Sequence, residues 1–133
     1  MISDRLRAVA SAISRCDQTD PVSVQTLPLR LESKANAHVH WRKLAHKAAV
    51  QRTAGRLALA QSRLEPGGRA IVRLVRISPR ELDGDNLGTS LKAVRDGVAD
   101  ALGVDDRDPR VTWLPDWERG APKQHAVRVE VYR

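Results

Sequence analysis

The spacing of hydrophobic positions changes along this chain in a way that separates helices from strands. Leu6, Val9, Ala10 and Ile13 recur at helical intervals, which predicts a short amphipathic helix over residues 3–15. Asp17 to Pro21 break it. Val22 to Leu31 read as a strand that ends in the polar loop Glu32-Ser33-Lys34-Ala35-Asn36. From Val39 to Arg63 a run rich in Ala, Leu, Arg and Lys predicts a long helix. Trp41, Leu44, Ala45 and Ala48 share its core side, with Arg42, Lys43, His46 and Lys47 on the other. Pro66-Gly67-Gly68 turns the chain.

Arg69 to Ile77 places β-branched residues at both parities, the pattern of a strand buried on both faces. Ser78-Pro79 end it. A second main helix is expected over 85–102, stopped by Gly103. At about 100° per residue, Leu87, Leu91, Val94, Val98 and Leu102 fall within an arc of about 80° and face the core. Asp85 and Lys92 lie on the opposite stripe. Arg110 to Leu114 and Gln124 to Tyr132 read as two more strands, joined by a hairpin loop from Pro115 to Pro122. Val127, Val129 and Val131 point one way on the second of these. The expectation is one α+β domain with a mixed or antiparallel sheet and two main helices. Its order is β-α-β-α-β-β over residues 21–133, with residues 1–20 as a helical extension.

Composition adds a charge anomaly. The 133-residue chain has a formal net charge of +7 and a pI near 10.5. Yet residues 81–108 hold Glu81, Asp83, Asp85, Asp96, Asp100, Asp105, Asp106 and Asp108 against only Lys92, Arg95 and Arg107. These eight acids and three bases make the segment −5, so the remainder is +12. An acidic site in a cationic body suggests a divalent metal presented to a polyanion. A single cysteine, Cys16, excludes an internal disulfide and fits a reducing cytosol. No apolar run is long enough to span a bilayer, and no signal peptide is expected.

Asp85 has two readings, a metal ligand or a helix N-cap. An EF-hand is excluded: Leu87 occupies its fifth position and Val94 its twelfth, where a bidentate Glu is required. Asp96 lies about 16 Å along the helix from Asp85, too far to share an ion, and pairs instead with Lys92. Trp41 is expected in the core; Trp113 and Trp117 suit either core or base stacking. His38, His40, His46 and His125 lack metal-ligand spacing and read as surface or phosphate-contacting residues.

Three strings, Leu82-Asp83-Gly84-Asp85-Asn86-Leu87, Lys92-Ala93-Val94-Arg95-Asp96-Gly97 and Leu102-Gly103-Val104-Asp105-Asp106, together resemble the RusA family of Holliday junction resolvases, especially phage and prophage versions. Leu27-Pro28 and Ser33-Lys34-Ala35-Asn36 are similar, more loosely, to that family's first strand and its Ser/Asn-rich loop. The resemblance implies that Asp83, Asp85 and Asp106 (or Asp105 in its place) bind catalytic Mg²⁺, with Mn²⁺ as a substitute, and that Lys92 is catalytic. The family's lysine falls one turn after the second acid, where this chain has Thr89. Leu82 stands where the family prototype has a basic residue, with Arg80 the nearest substitute. The implied protein is a cytoplasmic homodimer, without membrane association, that cuts branched DNA. Its backbone contacts would come from Lys34, Asn36, Arg42, Lys43, Lys47, Arg80, Arg107 and Arg110. The alternatives are a branched-DNA-binding protein of weak or no activity and an acidic-site nucleotide hydrolase.

Overall fold

The computed structural model describes residues 3–31, 41–60, 63–81 and 84–133, the side chains of residues 84 and 85 excepted. Its elements are α1 (Asp4–Gln18), β1 (Ser23–Leu27), α2 (Trp41–Ala58), β2 (Ala70–Ser78), α3 (Gly84–Leu102), β3 (Val111–Arg119) and β4 (Ala126–Tyr132). Among the described residues the strands form one mixed sheet in the order β1-β4-β2-β3. β4 is antiparallel to both neighbours, and β3 is parallel to β2. This is the expected α+β domain in the expected element order.

β2 is interior, as its two-faced apolar pattern requires; every residue but Arg73 is buried. Ala70, Val72 and Leu74 join Val127, Val129 and Val131 beneath the core stripe of α3. That stripe is the one the periodicity marks: Leu87, Leu91, Val94, Val98 and Leu102 are all buried. α2 packs across α3 at two glycines. A Cβ on Gly97 would lie 1.9 Å from the Arg52 carbonyl oxygen, and one on Gly55 would lie 2.5 Å from that of Val94. Side chains at either position would force the helices apart.

Several expectations are corrected. β1 ends at Leu27 rather than Leu31, because Pro28 has no N–H to donate to a partner strand. α1 begins at its Ser3 cap, whose hydroxyl accepts from the Leu6 N–H, and continues to Gln18. It is rotated from the expected face. Ala12 is its buried residue, set among Ile71, Leu114 and Tyr132 with Val9 and Cys16 alongside, while Leu6 and Ile13 are exposed. A small residue lets the helix approach the sheet closely, which the bulkier Leu6–Ile13 face would not. Trp41 is also outside the core, 66% exposed, with the Arg42 guanidinium 5.4 Å over its ring.

The largest correction concerns the end of the chain. Pro115 to Arg119 belong to β3, not to a hairpin loop, and β3 does not pair with β4. Residues 120–125 cross the end of β2 instead, where the Gly120 N–H bonds the Ser78 carbonyl. Pro115 is tolerated because β3 is an edge strand.

The sheet face carrying α1 also holds a chain of charges. Arg73 binds Asp116 through two N–H groups and reaches Glu130 at 3.3 Å. Glu130, only 6% exposed, also accepts from Arg128 Nε at 2.7 Å and from the Tyr132 hydroxyl at 2.6 Å. Arg128 then reaches Glu118 at 2.6 Å. Burial alone would raise the Glu130 carboxyl, but Tyr132, Arg128 and Arg73 together hold it below the ordinary range. Burial and Glu130 push the Tyr132 phenol up to about 12.

Two outcomes follow from this packing. Gly97→Ala should destabilise the protein by about 3 kcal/mol in urea denaturation, the upper range for overpacking, because the obstructing atoms are backbone. Glu130→Gln should cost about 1.5–3 kcal/mol at pH 7, the worth of hydrogen bonds to a charged group. A lowered carboxyl pKa stabilises above the unfolded value, and that contribution is lost as pH falls through the folded one. The gap between wild type and Glu130→Gln should therefore narrow below the ordinary glutamate pKa of about 4.3; a gap that widened there would contradict the network.

Candidate functional site

The acidic segment is distributed along α3 by the length of that helix. Asp83 lies outside the described residues. Asp85 is the second residue of α3, so it sits inside the first turn rather than at the N-cap, which was one of its two readings. Lys92 lies two turns further on, 62% exposed at its side chain, and pairs with Asp96 at 3.3 Å as expected.

Asp106 follows the other end of the helix. Gly103, at φ +74°, closes α3 with its N–H on the Asp100 carbonyl, and the Val104 N–H folds back to the Ala99 carbonyl. The Asp106 carbonyl then accepts from Arg95 at 2.9 Å and from the Trp113 indole at 3.1 Å. Arg95 is ten residues, about 15 Å, along α3 from Asp85. A strand does run back beside the helix, but β3 begins after Asp106. It delivers Trp117, not the acid, to the end of the sheet where α3 starts; the Trp117 indole bonds the Ser78 hydroxyl at 2.9 Å. One chain therefore gathers Asp106 with Arg95 and Trp113, and does not bring it alongside the first turn of α3.

A residue missed by sequence reasoning lies under the early turns of α3. Arg76 is only 7% exposed. One terminal nitrogen donates to the Leu31 carbonyl at 2.8 Å and the other to the Ser90 hydroxyl at 3.5 Å, a marginal distance. Its Nε finds no acceptor among the described residues, and burial lowers its pKa. Arg76 thus ties the chain entering residues 32–40 to the underside of α3. The available signal was an arginine at a core-facing parity of an otherwise apolar interior strand.

The loop between α3 and β3 carries the remaining acids. The Arg107 backbone N–H, followed by contact with Asp106, holds the exposed Asp105 carboxyl below the ordinary range. Asp108 is clasped by Arg110 through Nε and Nη2, the latter at 2.9 Å, and is likewise lowered. Arg110 also reaches the Glu65 carbonyl at 3.3 Å, so this predicted DNA contact is engaged within the fold. Arg107 and Arg80 are exposed, as are Arg42, Lys43 and Lys47 along α2. Lys34 and Asn36 lie outside the described residues.

Among the described residues no three His, Cys, Asp or Glu side chains gather as a metal site. The acids flanking the start of α3 are carboxylates without His or Cys, a donor set suited to Mg²⁺. No described helix is long and apolar enough to cross a membrane. Comparison with family models, curated proteins and solved structures gives no match for this chain.

The Arg76 tie can be tested on stability alone. Arg76→Ala should lose about 2–4 kcal/mol by leaving a cavity and an unmet carbonyl. Arg76→Met should recover the part due to the cavity, since an apolar side chain of similar length refills the space but leaves the Leu31 carbonyl unmet. Urea denaturation of both variants measures this, and an Arg76→Ala protein as stable as wild type would contradict the tie.

Proposed function

We propose that the chain is a Mg²⁺-dependent, structure-selective endonuclease that hydrolyses DNA phosphodiesters at four-way junctions, related to the RusA resolvases. The observation that carries this reading is the acid string Asp83-Gly84-Asp85-Asn86 entering an exposed-faced helix within a body of charge +12. Mg²⁺ bound by Asp83 and Asp85 would supply a polarised phosphate and a water of lowered pKa. The chain's own part is to hold the strand through arginines and lysines and to place Lys92, once released from Asp96, against charge developing on the phosphate. The protein acts as a homodimer, matching the two symmetric strands of the substrate. Asp106 then serves from a second copy or in strand binding, since its own chain holds it beside Arg95.

A binding protein without catalysis is the second reading, favoured by the Lys92–Asp96 ion pair and the position of Asp106. Incubation of wild type and Asp85→Asn with a synthetic four-way junction and Mg²⁺ separates the two. Wild type should cut, and the variant should cut about 100-fold more slowly or worse, the scale for removing one electrostatic stabiliser. Equal cleavage by both would refute the assignment of Asp85, and wild-type binding without cleavage would favour the second reading.

A further inference from the structure

α1 has no counterpart in the junction-resolvase resemblance, yet it forms one wall of a cleft of about 530 Å³ at the start of the edge strand β3. Arg5, Ala8 and Val9 line that wall; Arg95, Asp106, Arg107 and Trp113 line the side facing them. The arginines here differ from those that brace the fold. Arg52, Arg73, Arg110 and Arg128 are each committed to a carboxylate. Among the described residues, no ion pair engages the side chain of Arg5, Arg95 or Arg107. Arg95 lays its guanidinium 5.0 Å over the Trp113 ring, gives one N–H to the Asp106 carbonyl and, among the described residues, finds no acceptor for its buried Nε. Asp108, also on the wall, is already neutralised by Arg110. Among the lining residues three arginines thus face one carboxylate outside an ion pair, Asp106, and the lining is cationic by about two charges, with Asp105 against Asp106 at its margin.

We propose that this cleft is a binding site for the phosphodiester backbone of a nucleic acid, with Arg5 of α1 and Arg107 of the loop clasping it and Arg95 fixing the floor. Guanidinium groups match phosphate oxygens in pairs. A helix that contributes only one buried side chain to the core here acquires a binding role. The inference rests on the nucleic-acid reading of the preceding subsection but does not require cleavage.

The test measures binding of the full chain to a fluorescent four-way junction, in EDTA to prevent cleavage, across roughly 50–200 mM NaCl, where phosphate contacts dominate the salt response. Arg5→Gln and Arg107→Gln should each weaken binding about three- to tenfold, and each should reduce the slope of log K against log[NaCl] by about 0.9, one phosphate contact. Arg7→Gln, on the same helix but outside the cleft, should change neither. Unchanged slope and affinity in Arg5→Gln and Arg107→Gln would overturn the proposal, as would an equal loss in Arg7→Gln, which would make the effect one of net charge. If inorganic phosphate raises the melting temperature of wild type but not of Arg5→Gln, while DNA binding is the same in both, the cleft takes small anions and the proposal also falls. Wild type that binds through Arg5 without cutting any junction removes the nuclease reading and leaves the cleft standing.

Discussion

Burial of β2 on both faces is the constraint on which the rest of this structure depends. A strand with apolar side chains at both parities cannot rest at an edge or face water, so it must be flanked by strands and covered above and below. β4 and β3 provide the flanks, one antiparallel and one parallel. The parallel neighbour requires a crossover, and α3 is that crossover. The helix must therefore cover the sheet along its length, and its apolar stripe is buried against the alternate residues of β2 and β4. α2 reaches the same layer because Gly55 and Gly97 let two backbones touch.

The same constraint determines where chemistry can be placed. A covering helix of 19 residues has two ends roughly 27 Å apart. The sequence puts acids at both. They belong to one short segment when counted along the chain, but to opposite ends of the sheet when counted in space. Proximity in sequence overstated their proximity in the fold, because a helix carries the chain away from its start and β3 returns only after Asp106. Arg76 works in the other direction. It connects Leu31 to Ser90, residues far apart in sequence, and so draws the chain entering residues 32–40 toward the acid-bearing start of α3.

Much of the fold was legible because periodicity reports burial. The core stripe of α3, the interior character of β2 and the alternation of β4 each follow from one spacing rule applied to one segment. Failures came where the outcome depends on a partner. The residues of α1 suited two faces, and the space between Ile71, Leu114 and Tyr132 selected the one with Ala12. Trp41 was assigned to the core by its place on the Leu44–Ala48 face of α2, although α2 meets α3 through glycine and needs no large side chain there. Pro115 suggested a loop, whereas an edge strand accommodates proline wherever its N–H would point to solvent. For the site, the acids and Lys92 could be named from sequence, along with the Lys92–Asp96 pair. Their separation in space, Arg76 and the Arg95–Trp113 stack could not, since each is a property of tertiary contact.

The basic balance of the chain also acquires a finer meaning. A charge of +7 by itself describes an attraction to any polyanion and gives no location. The structure divides the arginines by what they face. Arg73 and Arg128 are held among Asp116, Glu118 and Glu130 on one side of the sheet, where they brace strands. Arg52 fastens α2 to α3 through Asp100, and Arg110 closes the turn before β3 through Asp108. Charges spent in this way contribute little field at the surface, because each is cancelled within a few ångströms. The attraction that remains comes from cations without such partners. Arg5, Arg95 and Arg107 concentrate several of them around one concavity, and a concave wall of low dielectric strengthens the field it encloses. On the proposed reading, the location of binding would be set less by how many basic residues the chain has than by which of them the fold leaves uncancelled.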